Sequence, residues 1–176
     1  GKSVNVVNFD AHTDFRSLEG RHSGNGFCYA FNEGFLNNYG VFGAHENYLN
    51  KHMLHQFMEH FEKLKLDTFE ELKVRFEKEF LTSINNLNNF VRNKPYGIEI
   101  DLDAIENVAS SAMSPSGFTI TEARQFVHLI ANNSSASYLH LCEGSVSLST
   151  LPTSLVGKLL TYMVTDFIKV QLPYVK

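Results

Sequence analysis

Val4-Asn5-Val6-Val7-Asn8-Phe9-Asp10-Ala11-His12-Thr13-Asp14 is the stretch on which the fold reading turns. Its first six residues are apolar and β-branched enough to form a buried strand of the kind found in parallel sheets. The apolar run stops at Asp10, and potential ligands then stand at alternate positions, Asp10, His12 and Asp14. Side chains two apart on an extended segment share a face, so the spacing predicts that these three converge. The pattern recurs downstream. Tyr96 to Ile105 reads as a second strand carrying Asp101 and Asp103, and Ala136 to Cys142 as a third that ends at Glu143-Gly144.

The intervening segments carry helix signals. Asp10 to Asn25 is polar, with Gly20 and Gly24 marking loop geometry. A short helix is expected around Tyr29 to Asn37, ending near Gly40, with Val41-Phe42-Gly43 as a further short strand. His45 to Leu64 reads as a helix, because Leu49, Met53, Phe57 and Phe61 recur every fourth residue. Thr68 and Glu71 form a capping box, which predicts a long helix with Leu72, Phe76, Phe80, Ile84, Leu87 and Val91 on its core face, stopped by Asn93-Lys94-Pro95. Thr119 and Glu122 form a second box, opening a helix to about Asn132, and a last helix runs from Ser154 to about Gln171. Strands separated by helices imply an α/β fold with a mostly parallel sheet, and 176 residues suit a single domain spanning 1–176.

Composition narrows the function. The formal net charge of −4 leaves no basic stripe to neutralise phosphates, which argues against nucleic acid as a partner. No apolar run reaches the roughly 18 residues that span a bilayer, so no membrane association is expected. The first residues have no signal-peptide pattern. Cys28 and Cys142 sit among apolar neighbours and read as free thiols in a reducing compartment, which makes a cytoplasmic location the default.

Acid groups follow three strand ends, where ligand sites of such sheets gather. Four carboxylates brought together at one end of a buried sheet would repel one another and lose hydration unless protons or cations neutralise them. Divalent metals are the direct solution. Carboxylate oxygens with one imidazole suit Mn²⁺, with Zn²⁺, Co²⁺ or Fe²⁺ as alternatives. The bland reading is that Asp10 and Asp14 cap a turn while Asp101 and Asp103 are solvated. Two such motifs, each after an apolar strand in one chain, weigh against it.

Asp10-Ala11-His12-Thr13-Asp14, Asp101-Leu102-Asp103 and the late Glu143 together resemble the ureohydrolases: arginase, agmatinase and formiminoglutamase. The resemblance covers nearly the whole chain in order and spacing. It implies a three-layer α/β/α sandwich, arginase-like, holding two manganese ions. Asp10 and Asp101 would bridge both ions, Asp14 would bind one, and His12 and Asp103 the other. Water activated between the ions would attack a trigonal, nitrogen-substituted carbon, and Glu143 would pair with the cationic amidine or guanidine of a small, amino-acid-derived substrate. By family analogy the protein would be a homo-oligomer. The family has a further His, from a Gly-rich segment upstream of the first motif, at the ion held by Asp14. The expectation is therefore of an N-terminally truncated family domain with one fully liganded metal position and one incomplete. Glu99 stands where the family usually has Ser, and it either adds charge to the site or meets a cation nearby.

Arg16, two residues after Asp14, makes the motif more similar to formiminoglutamase than to arginase. It can grip a substrate carboxylate bidentately, or serve only a surface ion pair. Ser23-Gly24-Asn25 is similar to the loop with which arginases hold the amino-acid end of arginine, which makes Ser23 and Asn25 candidates for binding substrate. Phe27 stands where arginases carry a proton-relaying His. His22 is the nearest candidate for that task, or else a loop-stabilising residue. His45, His52, His55 and His60 are not expected to form a second metal site. N-formimino-L-glutamate hydrolysis to L-glutamate and formamide, as in histidine metabolism, is the first expectation. Arginase or agmatinase chemistry releasing urea is the second, and a non-catalytic binding module with an incomplete metal site the third.

Overall fold

The computed structural model describes residues 3–145 and 153–174. Among them five strands, β1 (Val4–Phe9), β2 (Leu36–Ala44), β3 (Leu64–Thr68), β4 (Tyr96–Asp101) and β5 (Ala136–Cys142), pair in parallel in the order β3-β2-β1-β4-β5. Five α-helices connect or follow them: α1 (Gly26–Asn32), α2 (Lys51–Glu59), α3 (Phe80–Val91), α4 (Ile120–Ala131) and α5 (Thr153–Gln171). Helices lie on both faces of the sheet, giving the α/β/α sandwich that the motif resemblance implies. No described helix is long and apolar enough to cross a membrane.

The period-two alternation of β1 divides its side chains between two cores. Val7 and Phe9 join Phe42, Ile98 and Ile100 against α3, α4 and α5, through Ile84, Leu87, Phe126 and Met163. Val6 joins Tyr39 and Val41 against α1 and α2, through Cys28 and Phe57. The first core has an aromatic centre in which Phe9 lies 4.8 Å from Phe118 and 4.9 Å from Phe126, ring centre to ring centre. Tilted packing at these distances adds to the area buried.

Three sequence expectations are corrected. The helix read from Tyr29 to Asn37 starts and stops earlier, at Gly26–Asn32. Gly34 (φ +78°) turns the chain out of the helix, and the strand read as Val41 to Gly43 begins at Leu36. The polar look of Asn37 and Asn38 concealed that strand. Both donate to Asn5 Oδ1 on β1, at 3.1 Å from the Asn37 amide and 3.0 Å from the Asn38 backbone.

His45 to Leu64 is not one helix. A 3-10 turn (Glu46–Tyr48) precedes α2, and Asn50 caps α2 by accepting from Met53 N at 2.9 Å. β3 then starts at Leu64, with Lys65 and Asp67 charging the edge strand as edges require.

The Thr68–Glu71 capping box forms, with Glu71 N donating to Thr68 Oγ1 at 3.2 Å, but it opens only a π-type turn (Glu70–Val74). Lys78 bonds Asp67 and Glu71, and Arg75 bonds Glu46, so the segment is tied back towards β3 and β2. The chain reverses through Phe76 at φ +54°, leaving its ring 78% exposed rather than on the core stripe. A new helix, α3, starts under its own cap, with Glu79 accepting from Leu81 N and Thr82 N. Cys28 on α1 and Cys142 on β5 are free thiols.

Gly43 sits on β2 at φ +99°, where the pairing with β3 shifts register, and a Cβ there would lie 2.3 Å from the buried ring of Phe118. Gly43→Ala should cost about 3 kcal/mol, combining left-handed backbone strain with overpacking. Urea unfolding of the two proteins checks this, and a loss under about 1 kcal/mol would contradict the assigned packing.

Candidate metal centre

The chain runs outward from β1 through β2 to β3, then crosses to β4 and β5 on the other side. Strand order therefore reverses between β1 and β4, and ligands of parallel sheets bind beyond the carboxyl ends of the strands at such a point. Phe9 pairs with Ile100, so Asp10, the first residue past β1, stands beside Asp101, the last residue of β4.

The convergence expected from alternating side chains is achieved differently. β1 ends at Phe9, and residues 10–14 are not extended. Asp10 Oδ1 accepts from His12 N at 2.7 Å, and Asp101 Oδ1 accepts from Asp103 N at 2.9 Å. Each strand thus ends in the same side-chain-to-backbone turn, a habit of Asp. Asp14 follows at φ +48° and Glu143 at φ +61°, a left-handed conformation uncommon outside glycine and concentrated at functional sites.

His12 Nδ1 lies 3.0 Å from Asp103 Oδ2 and 3.5 Å from Asp10 Oδ1. One ligand atom from each of Asp10, His12 and Asp103 falls within 4.8 Å of the others, the one such group among the described residues. Asp10 is 1% exposed, and its Oδ2 accepts from Asn8 at 2.8 Å. Asn8 is bonded in turn to Tyr39 Oη, which donates to the Thr13 carbonyl.

His12, Asp14, Asp101, Asp103 and Glu143 share the wall of one cavity of about 490 Å³ with Arg16, His22 and Ser23. Asp10 is buried and does not line it. Ser111 Oγ donates to Glu143 Oε2 at 2.6 Å and holds that carboxylate at the rim. On the loop between β1 and α1, Arg16 and His22 approach the same oxygen of Glu19, at 3.3 and 3.4 Å. Asn25 is buried, with its amide bonded to the Ser17 and Gly20 carbonyls and its oxygen to His22 N. That side chain closes the loop and is not on the cavity wall. Glu99 meets a partner on β5: it bonds Tyr138 Oη at 2.6 Å and His140 Nδ1.

The electrostatics follow from burial. Desolvation first, then the charge of Asp10, pushes both Asp14 and Asp101 up to about 8. Asp10 is raised as well, again chiefly by burial. Hydrogen bonds to Asp10 and then Asp103 raise His12 to about 10, so it is held as the imidazolium. Asp103 Oδ1 is buried without any hydrogen-bond partner, and such a group costs about 1–3 kcal/mol unless something pairs with it. Crowded carboxylates, one imidazole nitrogen and an orphaned oxygen fit a divalent cation that accepts hard oxygen and borderline nitrogen ligands.

Sequence reasoning did not single out Asn8, Glu19, Tyr48 or Ser111. A polar Asn8 two residues before Asp10 in an apolar strand was a readable signal. Tyr48 was hidden inside the misread helix, and the Ser111–Glu143 contact is visible only in three dimensions.

Residues 1–164 match the family model described as the arginase family. No curated protein matches the chain. Among solved structures, formimidoylglutamase from Bacillus subtilis superposes with a TM-score of 0.82 at 18% identity, over 96% of this chain and 53% of that one. Proclavaminate amidino hydrolase from Streptomyces clavuligerus gives 0.79 at 15% identity, covering 98% and 57%. Trypanosoma cruzi formiminoglutamase with Mn²⁺ gives 0.76 at 19%, covering 95% and 56%. The chain thus spans little more than half the length of these structures, and identities this low speak for the shared fold.

Protons and metal should compete for the same atoms. Asp14 and Asp101 have folded values raised above their unfolded values near 4. Their contribution to metal-free stability is therefore full below about pH 4 and lost as pH rises through about 8. Cation binding releases those protons and reverses the trend. The rise in thermal midpoint on adding Mn²⁺ should be larger at about pH 8.5 than at about pH 6, and equal rises at both would show that no protons are displaced.

Proposed function

The chain belongs to the arginase family, and from that premise we propose that it carries the metal-binding half of a binuclear manganese hydrolase acting on linear amidines, with N-formimino-L-glutamate as substrate. The observation that carries this reading is the group of two buried carboxylates and a half-buried imidazole at the ends of β1 and β4, whose Asp103 Oδ1 has no partner within the protein. Asp10, His12, Asp101 and Asp103 would hold one ion, and Asp10, Asp14 and Asp101 would contribute to a second. Bound there, the two cations would supply a water deprotonated near neutral pH and stabilise negative charge as it develops.

The chain's own groups do the rest. Glu143, fixed by Ser111 at the cavity rim, receives the cationic formimino nitrogen through a charge-assisted hydrogen bond. Arg16, on the same wall, faces the substrate's carboxylates, which replace Glu19 as its partner. An exposed pair such as Arg16–Glu19 is worth at most about 1 kcal/mol, so exchange is easy. Water adds to the formimino carbon, the bond from that carbon to the glutamate nitrogen breaks, and His22 delivers the proton that the departing amine requires. Asn25 serves by closing the loop that presents Arg16 and His22.

A substrate panel on the full natural chain with Mn²⁺, comparing formiminoglutamate, arginine, agmatine and guanidinobutyrate, tests the reading. Formamide should be released from the first faster than urea from the others, and faster urea release from arginine would overturn the substrate assignment. Asp101→Asn should lower kcat/KM at least about a thousandfold and reduce bound manganese, because in this reading its carboxylate would help hold both ions. Retained activity with unchanged metal content would remove Asp101 from the site. Arg16→Ala should raise KM for formiminoglutamate about tenfold or more, the worth of a charged hydrogen bond, and leave agmatine, which has no carboxylate, unaffected.

A further inference from the structure

Tyr48 has no place in the scheme above, yet its ring lies flat against that of His12. The ring centres are 4.5 Å apart and the planes 19° from parallel. The Nδ1 contacts of His12 with Asp103 and Asp10 fix one corner of the imidazole. They leave the ring free to tip about that corner, and His12 is one-third exposed. A flat partner on one face removes that freedom.

Tyr48 is itself braced. It ends the 3-10 turn that leaves β2, with its N–H donating to the His45 carbonyl at 3.0 Å, and His45 N donates to the Ala11 carbonyl at 2.9 Å. The turn is therefore fastened to the same loop that carries His12. Its outer side is held by Glu46, which takes both Arg75 Nη1 at 3.1 Å and Arg75 Nη2 at 2.7 Å, accepts from Thr68 Oγ1, and whose N–H donates to Glu70. Behind it, His45 stacks on the buried Phe69 at 4.5 Å. An exposed tyrosine with nothing to do does not need such a mounting.

We infer that Tyr48 is a positioning residue for the metal site: its ring sets the plane of the His12 imidazole so that Nδ1 stays aimed at the cation shared with Asp10 and Asp103. This inference rests on the metal reading above. Groups outside the ligand set that orient a ligating histidine commonly govern metal affinity by tenfold or more. The contribution here comes from the aromatic face, since a stacked pair prefers this spacing, and does not require the Tyr48 hydroxyl.

The test uses Tyr48→Phe, Tyr48→Leu and the same changes in a His12→Ala background, in the full natural chain. Mn²⁺ affinity is read by titration with electron paramagnetic resonance of the free ion, and His12 ring-proton shifts are read by NMR in the metal-free protein. Tyr48→Phe should bind Mn²⁺ as the parent does and keep the upfield ring-current shift of His12. Tyr48→Leu should lose the shift and bind roughly tenfold more weakly, with its thermal midpoint in chelator unchanged. In the His12→Ala background the Leu change should have no further effect on affinity. A Leu variant that binds as tightly as the parent overturns this inference and leaves the metal reading standing, as does an equal loss of affinity without His12. A parent chain that binds no Mn²⁺ overturns both.

Discussion

Asp10, Asp14, Asp101 and Asp103 are gathered at the floor of one cavity, three of them buried and Asp14 half-buried, and an anion stripped of hydration is among the most costly things a protein can bury. Much of the rest of the structure can be understood as making that gathering tolerable. In the absence of metal the protein answers with protons: burial and mutual repulsion hold Asp14 and Asp101 protonated to about pH 8, and His12 stays charged among its acids to about 10. This is a poised arrangement. One buried oxygen, Asp103 Oδ1, stays unsatisfied, so the protons do not complete the site.

The scaffold meets the same constraint with rigidity. The two central strands end in matching turns in which Asp10 and Asp101 each accept from the backbone two residues on. Beneath them Asn8, Tyr39 and the Thr13 carbonyl form a buried relay of hydrogen bonds that fixes Asp10 from below. A buried polar network rigidifies when its members are satisfied; here the Asn8 amide nitrogen, the Tyr39 hydroxyl and the Thr13 carbonyl are paired, and the buried Thr13 hydroxyl is not. Left-handed backbone at Asp14 and Glu143 adds strain at the same end of the sheet, offset by two aromatic-rich cores on either face.

Around this rigid floor the cavity wall is softer. Arg16 and His22 belong to a surface loop, tied by Asn25 and meeting at Glu19, whose exposed ion pairs are weak and exchangeable. The division is physical: the carboxylates at the strand ends are held by buried hydrogen bonds, and the charged groups of the wall are exposed and exchangeable. Tyr48 stands at the boundary, exposed itself but mounted on the fixed side through Glu46 and Ala11.

Strand–helix alternation, the buried character of Val4 to Phe9 and the acids at three strand ends were legible because each is a local pattern that burial in a parallel sheet demands. β2 was legible only in part, since the pairing that satisfies Asn37 and Asn38 comes from Asn5, more than thirty residues away. The break at Phe76 was illegible because the stripe from Leu72 to Val91 fits one helix perfectly well, and only the ties of Lys78 and Arg75 to other elements interrupt it. Glu99 could not be assigned from sequence, because its partners His140 and Tyr138 arrive on β5. The sequence by itself determined the fold class and the identity of the acids and imidazole at the strand ends, since residue type and spacing carry that information locally. The tertiary structure alone decided how they converge, through turns at the ends of two strands distant in sequence, and which aromatic ring holds His12 in its plane. Those are facts about separation in space, and only the folded chain sets that.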